Sequence, residues 1–135
     1  MEPMGPPGLI DAVGPFQQTI LVVEDELFIR MSAVGALQDE GFLVLAAKNS
    51  AEALKVLSRH SETNILMTDV RMPGHMDGLA LVAQVQIDHP DIRSIVVSGN
   101  TTAEQARNAG ASGFVAKPYF AQTMVKVVHD LLLRN

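Results

Sequence analysis

The chain of 135 residues contains no cysteine and no tryptophan, and aromatic residues make up only 4% of it. Without cysteine there is no disulfide, no thiolate nucleophile and no cysteine-type zinc site. Ten basic residues against fifteen acidic ones give a net charge of −5, which argues against a protein that follows a nucleic-acid backbone. No apolar run approaches the length of a membrane span. What remains is one acidic domain with 47% hydrophobic residues, enough for a packed core.

Proline and glycine are concentrated at the N-terminus, where residues 1–18 hold four of the seven prolines and three of the ten glycines. We expect these residues to form a flexible arm and residues 19–135 to form the folded domain. The first basic residue is Arg30, so the N-terminus lacks the charged start of a secretory signal. We therefore expect a cytoplasmic protein that contacts neither membrane nor nucleic acid directly.

From Thr19 onward, short β-rich apolar runs alternate with helical stretches, which is the pattern of repeated βα units. The strands are predicted at about 19–24, 42–47, 64–68, 92–97 and 113–116. The first, third and fifth helices are predicted at about 26–39, 77–88 and 121–133. Capping boxes predict that the other two open at Asn49 with Glu52 and at Thr101 with Glu104. Right-handed crossovers then give an α/β fold, a doubly wound five-stranded parallel sheet with helices on both faces.

Four of the apolar runs end on polar residues that can form one site. These residues are Glu24 with Asp25, Asp69, Ser98 and Lys117. The carboxyl ends of parallel strands share one edge, where such folds bind ligands, so we expect the five side chains to lie together. Three adjacent carboxylates repel one another unless a cation lies among them, and oxygen ligands suit a hard ion such as Mg²⁺. Lys117 and Ser98 then remain to hold an anion beside the metal.

This set of residues resembles the receiver domain of two-component response regulators, over the chain from about Thr19 to the C-terminus. The resemblance implies a flavodoxin-like strand order, 2-1-3-4-5. It also implies that Asp69 accepts a phosphoryl group from a histidine kinase or a histidine phosphotransfer protein. Mg²⁺ would be held by Glu24, Asp25, Asp69 and the backbone carbonyl of Arg71. An acyl phosphate on an aspartate is an established covalent intermediate, and its formation mainly needs charge neutralisation and in-line positioning.

The resemblance assigns further roles near the phosphoryl group. Lys117 and Ser98 would bind its oxygens, and Gly99 would leave room for it because glycine has no Cβ. Ser98 and Phe114 would act as the switch that alters the surface of the fourth helix, fifth strand and fifth helix, through which a second copy or an effector could bind. A cis bond between Lys117 and Pro118 would aim the lysine at the acidic cluster.

Two positions at the rim of the site, Arg71 and Asn100, are predicted to tune the lifetime of the phosphorylated state rather than to perform the chemistry. The chain also departs from the family pattern twice. The first acid is Glu24 rather than the commoner aspartate, and "MPGHMDG" is one residue longer than the usual "MPGMDG".

The first helix is predicted to receive the phosphodonor protein. Its helical spacing places Leu27, Met31 and Val34 toward the core, and it leaves Ile29, Ala33 and Ala36 as an apolar outer face. We expect Ile29, Arg30 and Ala33 to contact the kinase.

Other functions fit the same residues less well. A phosphatase of the haloacid dehalogenase type needs a second acid two residues after the nucleophile, but Arg71 stands there after Asp69. A flavodoxin-like mononucleotide binder would need phosphate-binding N–H groups where this chain has acids, and a P-loop motif is absent. We therefore expect a protein that catalyses only its own phosphorylation and dephosphorylation. It could be a free-standing regulator or the receiver segment of a hybrid histidine kinase.

Overall fold

A computed structural model describes residues 17–134 of the chain. Strands and helices alternate throughout this part of the chain. The strands are β1 (Thr19–Val23), β2 (Leu43–Ala47), β3 (Ile65–Asp69), β4 (Arg93–Ser98) and β5 (Gly113–Ala116). The helices are α1 (Leu27–Asp39), α2 (Ser50–Arg59), α3 (Gly78–Asp88), α4 (Ala103–Ala109) and α5 (Ala121–Leu133). Except for its last two residues, the predicted N-terminal arm lies outside the described residues.

The five strands form one parallel sheet in the order β2-β1-β3-β4-β5, which confirms the predicted fold class and strand order. Each predicted strand lies within one residue of its observed bounds. All five residues of β1 are buried because helices cover both faces of the sheet at this central strand. None of the described helices has the length and apolar character needed to cross a membrane.

The side chains of the sheet alternate between two core layers. Ile20 and Val22 of β1 point toward α1 and α5, while Leu21 and Val23 point toward α2, α3 and α4. This alternation follows from the two-residue period of a strand. Apolar residues of the helices pack against these layers, so the sheet lies between two groups of helices.

The cap of the second helix was predicted at the correct residue. The Asn49 side chain accepts a hydrogen bond of 2.8 Å from the Glu52 N–H. The returning Glu52 carboxylate accepts from the N–H of Lys48 rather than from that of Asn49. Only half of the predicted capping box is therefore formed.

The cap of the fourth helix was predicted one residue too early. Thr102 is the N-cap and forms a complete capping box with Gln105, not Thr101 with Glu104. Thr101 is part of the preceding turn instead, where its N–H donates to the Ser98 hydroxyl oxygen at 3.0 Å. The turn that follows β4 therefore delays the start of α4 by one residue.

The predicted faces of α1 were wrong except at Val34, which packs against a core layer as expected. Ala33 is buried at 4% exposure with Leu37, whereas Leu27 and Met31 are 49% and 58% exposed. The helix is apolar nearly all round, so its spacing gave little information about which side faces the sheet. The small Ala33 side chain lets the helix backbone approach the sheet, and the bulky residues lie outside.

Helix α5 packs an apolar stripe against the sheet, and the residue that precedes the helix is not part of this stripe. Met124, Val128 and Leu131 are buried, but Phe120 is 80% exposed. Phe120 is the N-cap with an extended backbone, so its side chain does not continue the helical stripe. In α4, Ala106 is buried and Ala103 is exposed, so little apolar area anchors this helix.

Gly78, the first residue of α3, lies against the backbone at the end of β3. A Cβ atom at this position would overlap the carbonyl oxygen of Asp69 and lie 2.8 Å from the Cα of Val70. The Gly78 N–H also donates a hydrogen bond of 2.8 Å to the Val70 carbonyl. Only glycine permits this close approach.

We predict that Gly78→Ala destabilises the protein by about 1–3 kcal/mol, because the backbone must shift to make room for the methyl group. The control is Gly35→Ala in α1, where a Cβ meets nothing within 4 Å. There alanine should stabilise the helix by about 0.5–1 kcal/mol. Urea unfolding of the three proteins measures both effects. Equal stabilities of Gly78→Ala and the wild type would contradict the steric argument.

Candidate functional site

Three carboxylates meet at the carboxyl edge of the sheet, as predicted. One oxygen from each of Glu24, Asp25 and Asp69 lies within 4.8 Å of the other two. Glu24 is buried, Asp69 is half-buried and Asp25 is exposed. The cluster therefore has a buried floor and one side open to solvent.

Lys117, which follows β5, contacts two of these carboxylates. Its Nζ lies 2.8 Å from Oε1 of Glu24 and 3.4 Å from Oδ2 of Asp69. Its backbone N–H donates to the carbonyl of Ser98 at 3.0 Å, and the Lys117–Pro118 bond is cis, as predicted. The lysine thus belongs to the same site as the three acids.

Burial raises the pKa of Glu24, and the nearby Asp69 charge raises it further. The hydrogen bonds from Lys117 and from the Glu26 N–H act in the opposite direction but do not outweigh burial. Burial by itself lowers the pKa of Lys117, yet its hydrogen bond to Glu24 and the charges of both acids dominate, and that pKa is raised. The pKa of Glu24 is thus raised mainly by burial, whereas the pKa of Lys117 is raised by its carboxylate partners.

The carboxylates differ in how much of their hydrogen-bonding capacity is used. Oε2 of Glu24 accepts from the Glu26 N–H at 3.1 Å, and Oδ1 of Asp69 accepts from the Val70 N–H at 2.8 Å. Within residues 17–134, the Asp25 carboxylate has no hydrogen-bond partner. An exposed carboxylate beside two fixed ones suits a hard divalent cation such as Mg²⁺, which takes oxygen ligands and keeps several waters.

Ser98 is the last residue of β4, at the carboxyl edge of the sheet, and it is buried. Its hydroxyl oxygen accepts hydrogen bonds from the N–H groups of Asn100 and Thr101 at 3.1 and 3.0 Å. The hydroxyl therefore closes the turn that leads into α4.

Gly99 and Phe114 are near this turn but are less constrained. A Cβ at Gly99 would lie 3.6 Å from Cβ of Lys117, which is an ordinary van der Waals contact. The surrounding protein therefore does not require glycine there. Phe114 is partly buried against the core layer under α2, α3 and α4. Their roles in phosphoryl binding and switching stay predictions.

Arg71 and Asn100 are both exposed, as residues at a rim should be. Their side chains make no hydrogen bond or ion pair with any other residue between 17 and 134. The Asn100 backbone N–H donates to the Ser98 hydroxyl oxygen at 3.1 Å, which holds Asn100 close to Ser98. Their effect on the lifetime of a phosphorylated state stays a prediction.

The predicted docking residues of α1 need correction. Ala33 is buried and cannot contact a partner, while Ile29 is 37% exposed. Arg30 Nη1 donates to the carbonyl oxygen of Glu24 at 2.7 Å, so its guanidinium braces the acidic loop. The exposed apolar side chains on this helix are Leu27, Phe28 and Met31 together with Ile29.

Two residues of the site were missed by the sequence analysis. Gly78 packs directly against the Asp69 carbonyl, and this role is visible only from the steric contact in the folded chain. Tyr119 is half-buried between the acidic cluster and a cavity beside α1, and burial raises the pKa of its hydroxyl. Its position directly after the Lys117–Pro118 bond was the available signal.

Comparison with known proteins agrees with this geometry. Residues 20–129 match the response regulator receiver domain family, and the chain belongs to that family. The receiver domain of NtrX from Brucella abortus has the same fold, with a TM-score of 0.79 and 31% identity over 86% of this chain and 99% of that one. The chemotaxis protein CheY4 of Vibrio cholerae gives a TM-score of 0.78 and 26% identity, covering 85% and 98% of the two chains.

Among curated proteins, the chain is 39% identical over 118 residues to the sensor kinase CckA of Brucella abortus. It is 36% identical over 107 residues to a putative response regulator NtrX-like protein of Rickettsia felis. The matches cover 84% and 76% of this chain but only 12% and 22% of these relatives. The similarity is therefore to one domain of longer proteins.

We predict that Mg²⁺ stabilises the protein and that Asp25→Asn removes this effect. At about ten times its dissociation constant, a bound ion adds about 1.4 kcal/mol to stability. Without metal, Asp25→Asn should have a higher Tm than the wild type, because the substitution removes one of three repelling charges.

Melting curves in MgCl₂, compared with NaCl of equal ionic strength, measure both effects. The control is Asp91→Asn, an exposed acid before β4 at the opposite edge of the sheet, which should respond to Mg²⁺ as the wild type does. A Tm that rises equally in wild type and Asp25→Asn would show that the cluster does not hold the ion.

Proposed function

We propose that this chain receives a phosphoryl group on Asp69 and transmits a signal through the resulting change in its surface. The observation that carries the proposal is the contact of Lys117 with Glu24 and Asp69 beside the exposed Asp25. Membership of the receiver family supports it, and the match to the sensor kinase CckA supports a histidine kinase as the donor.

In the transfer step, a carboxylate oxygen of Asp69 forms a bond to phosphorus while the bond from phosphorus to the donor nitrogen breaks. The donor histidine leaves with its electron pair and takes up a proton. Asp25 and Glu24, with Asp69 and the Arg71 carbonyl, would hold Mg²⁺, which when bound neutralises the phosphoryl oxygens. Lys117 stands 3.4 Å from Oδ2 of Asp69, where it can neutralise a further oxygen.

Ser98 connects this step to the surface. Its hydroxyl closes the turn before α4 through the N–H groups of Asn100 and Thr101. A phosphoryl oxygen that draws the hydroxyl inward pulls on that turn, and α4 is anchored mainly by the small side chain of Ala106. The helix can therefore respond at low energetic cost, together with Phe114. The altered face of α4, β5 and α5 would bind a second copy or an effector.

The chain would thus be an enzyme only toward itself, in forming and losing its own acyl phosphate. A phosphatase acting on other substrates is disfavoured, because Arg71 stands where such an enzyme needs its second acid. We place the protein in the cytoplasm, where ATP-dependent histidine kinases carry their phosphoryl group. The chain spans only a small part of its relatives. It would be either a free-standing regulator or the receiver segment of a hybrid kinase.

We predict that a small acyl phosphate donor with Mg²⁺ adds one phosphoryl group to the protein, seen as a single mass increase. Asp69→Asn should abolish it, because an amide is not nucleophilic toward phosphorus, and a chelator should suppress it in the wild type. Asp91→Asn serves as the control and should be phosphorylated normally. A mass increase that persists in Asp69→Asn would refute the assignment.

The donor is proposed to dock beside α1, on a face that differs from the predicted one. Phe28 is 74% exposed, and it lines a cavity of about 520 Å³ that reaches Lys117 and Tyr119. A large exposed apolar side chain that shares a cavity with Lys117 is suited to a partner, since burial of a phenyl ring contributes about 1.5–3 kcal/mol.

We predict that Phe28→Glu slows phosphotransfer from an autophosphorylated histidine kinase, such as CckA of Brucella abortus, but not from a small acyl phosphate. The matched control is Ile87→Glu on α3, because Ile87 is also 74% exposed yet lies on the other side of the sheet. Transfer rates measured from labelled kinase separate the two variants. Equal rates for Phe28→Glu and Ile87→Glu would exclude docking at α1.

A further inference from the structure

The acidic loop is the short connection between β1 and α1, and it consists of Glu24, Asp25 and Glu26. Its two ends are anchored separately. The Glu24 N–H donates to the Ala47 carbonyl at 3.1 Å, and the Glu26 carboxylate accepts from the Ile29 N–H at 2.8 Å. Asp25 lies between these anchors, and neither of them contacts it directly.

The middle of the loop is held by a side chain from the first turn of α1. Arg30 Nη1 donates to the Glu24 carbonyl oxygen at 2.7 Å and lies 3.5 Å from the carbonyl oxygen of Asp25. A hydrogen bond from an ionised donor is shorter and stronger than one between neutral groups. The backbone N–H of Arg30 also donates to the Glu26 carbonyl at 2.9 Å. One residue of the helix therefore contacts all three residues of the loop.

The contact with the Glu24 carbonyl determines where the Asp25 side chain starts. The carbonyl group of Glu24 and the N and Cα atoms of Asp25 belong to one planar peptide unit. A donor that fixes the carbonyl oxygen therefore restricts the Cα of Asp25 as well. The Asp25 carboxylate is exposed and has no hydrogen-bond partner between residues 17 and 134, so its position is set through the backbone.

We propose that Arg30 is a positioning residue for the metal site, because it holds the acidic loop so that Asp25 faces Glu24 and Asp69. The inference rests on the proposed function, since it concerns the Mg²⁺ that phosphoryl transfer would use. Within the described part of the chain, the Arg30 guanidinium binds backbone carbonyls and not the carboxylates, so the acid oxygens stay available to an ion. Residues that orient metal ligands in this way are worth about 10–100-fold in metal affinity.

The direction in which Arg30→Met changes Mg²⁺ binding separates positioning from charge. If the guanidinium acted only through its positive charge, its removal would tighten the binding of a cation. Loss of the anchor should instead raise the Mg²⁺ dissociation constant about tenfold, as measured by titration of amide signals in NMR spectra. Arg30→Lys keeps the charge and a donor and should recover part of the affinity. Arg59→Met, at an exposed arginine in the last turn of α2, changes the net charge equally and should bind as the wild type does.

A second measurement needs no ion. The Glu26 N–H donates to Oε2 of Glu24 at 3.1 Å, across the acidic loop. In metal-free protein, Arg30→Met should accelerate hydrogen exchange at this amide, because a loop without its anchor opens more often. The amide of Leu66, in the buried strand β3, should keep the exchange rate of the wild type. Equal acceleration at both amides would indicate a general loss of stability and would overturn the positioning role.

Mg²⁺ binding that is unchanged or tighter in Arg30→Met would also overturn the proposal, as would an unchanged exchange rate at Glu26. A failure of the proposed function is recognised separately. Wild type that binds Mg²⁺ but is not phosphorylated on Asp69 would refute that function, and the affinities of the two Arg30 variants would still decide the positioning role. Wild type that binds no Mg²⁺ would overturn both.

Discussion

The ion pair between Lys117 and Glu24 is the interaction on which the rest of the site depends. The two residues follow β5 and β1, which are separated in the sheet by β3 and β4. The lysine side chain must therefore cross over neighbouring strands, which are about 4.8 Å apart, to contact the buried carboxylate of Glu24. At 2.8 Å this contact offsets part of the cost of burying Glu24 and draws the ends of four strands together.

The fold explains why such an unfavourable collection of charges is tolerated. The charged groups lie at the carboxyl edge, beyond the last buried residues of β1 and β3, so the apolar layers are complete without them. Backbone N–H groups of Glu26 and Val70 are already directed at the acids. The close contact of Gly78 with the Asp69 carbonyl holds the backbone at the end of β3 in place. The scaffold thus fixes the geometry, and an ion can complete the charge balance.

The strands, their order and the residues gathered at the edge could be predicted because strand ends and polar residues coincide in the sequence. Lys117 directly follows an apolar run, and Asp69 follows a run in which Thr68 is the single polar residue, so their positions in the sheet could be predicted from local pattern. The faces of α1 were not predictable, since a helix apolar nearly all round is oriented by fit against the sheet, as Ala33 shows. Contacts between distant segments, such as Gly78 against Asp69, leave no periodic signal at all.

The hydrogen bonds of Ser98 have a consequence for which charge each part of the edge accepts. A hydroxyl oxygen has two lone pairs, and here both are used by the N–H groups of Asn100 and Thr101. What remains is its hydrogen, so this residue can donate but has no electron pair left to coordinate a cation. The edge is thereby divided chemically, with electron-pair donors at Asp25 and a proton donor at Ser98. A cation that enters this edge would therefore bind on the side of Asp25, and an oxyanion that enters with it would bind on the side of Ser98.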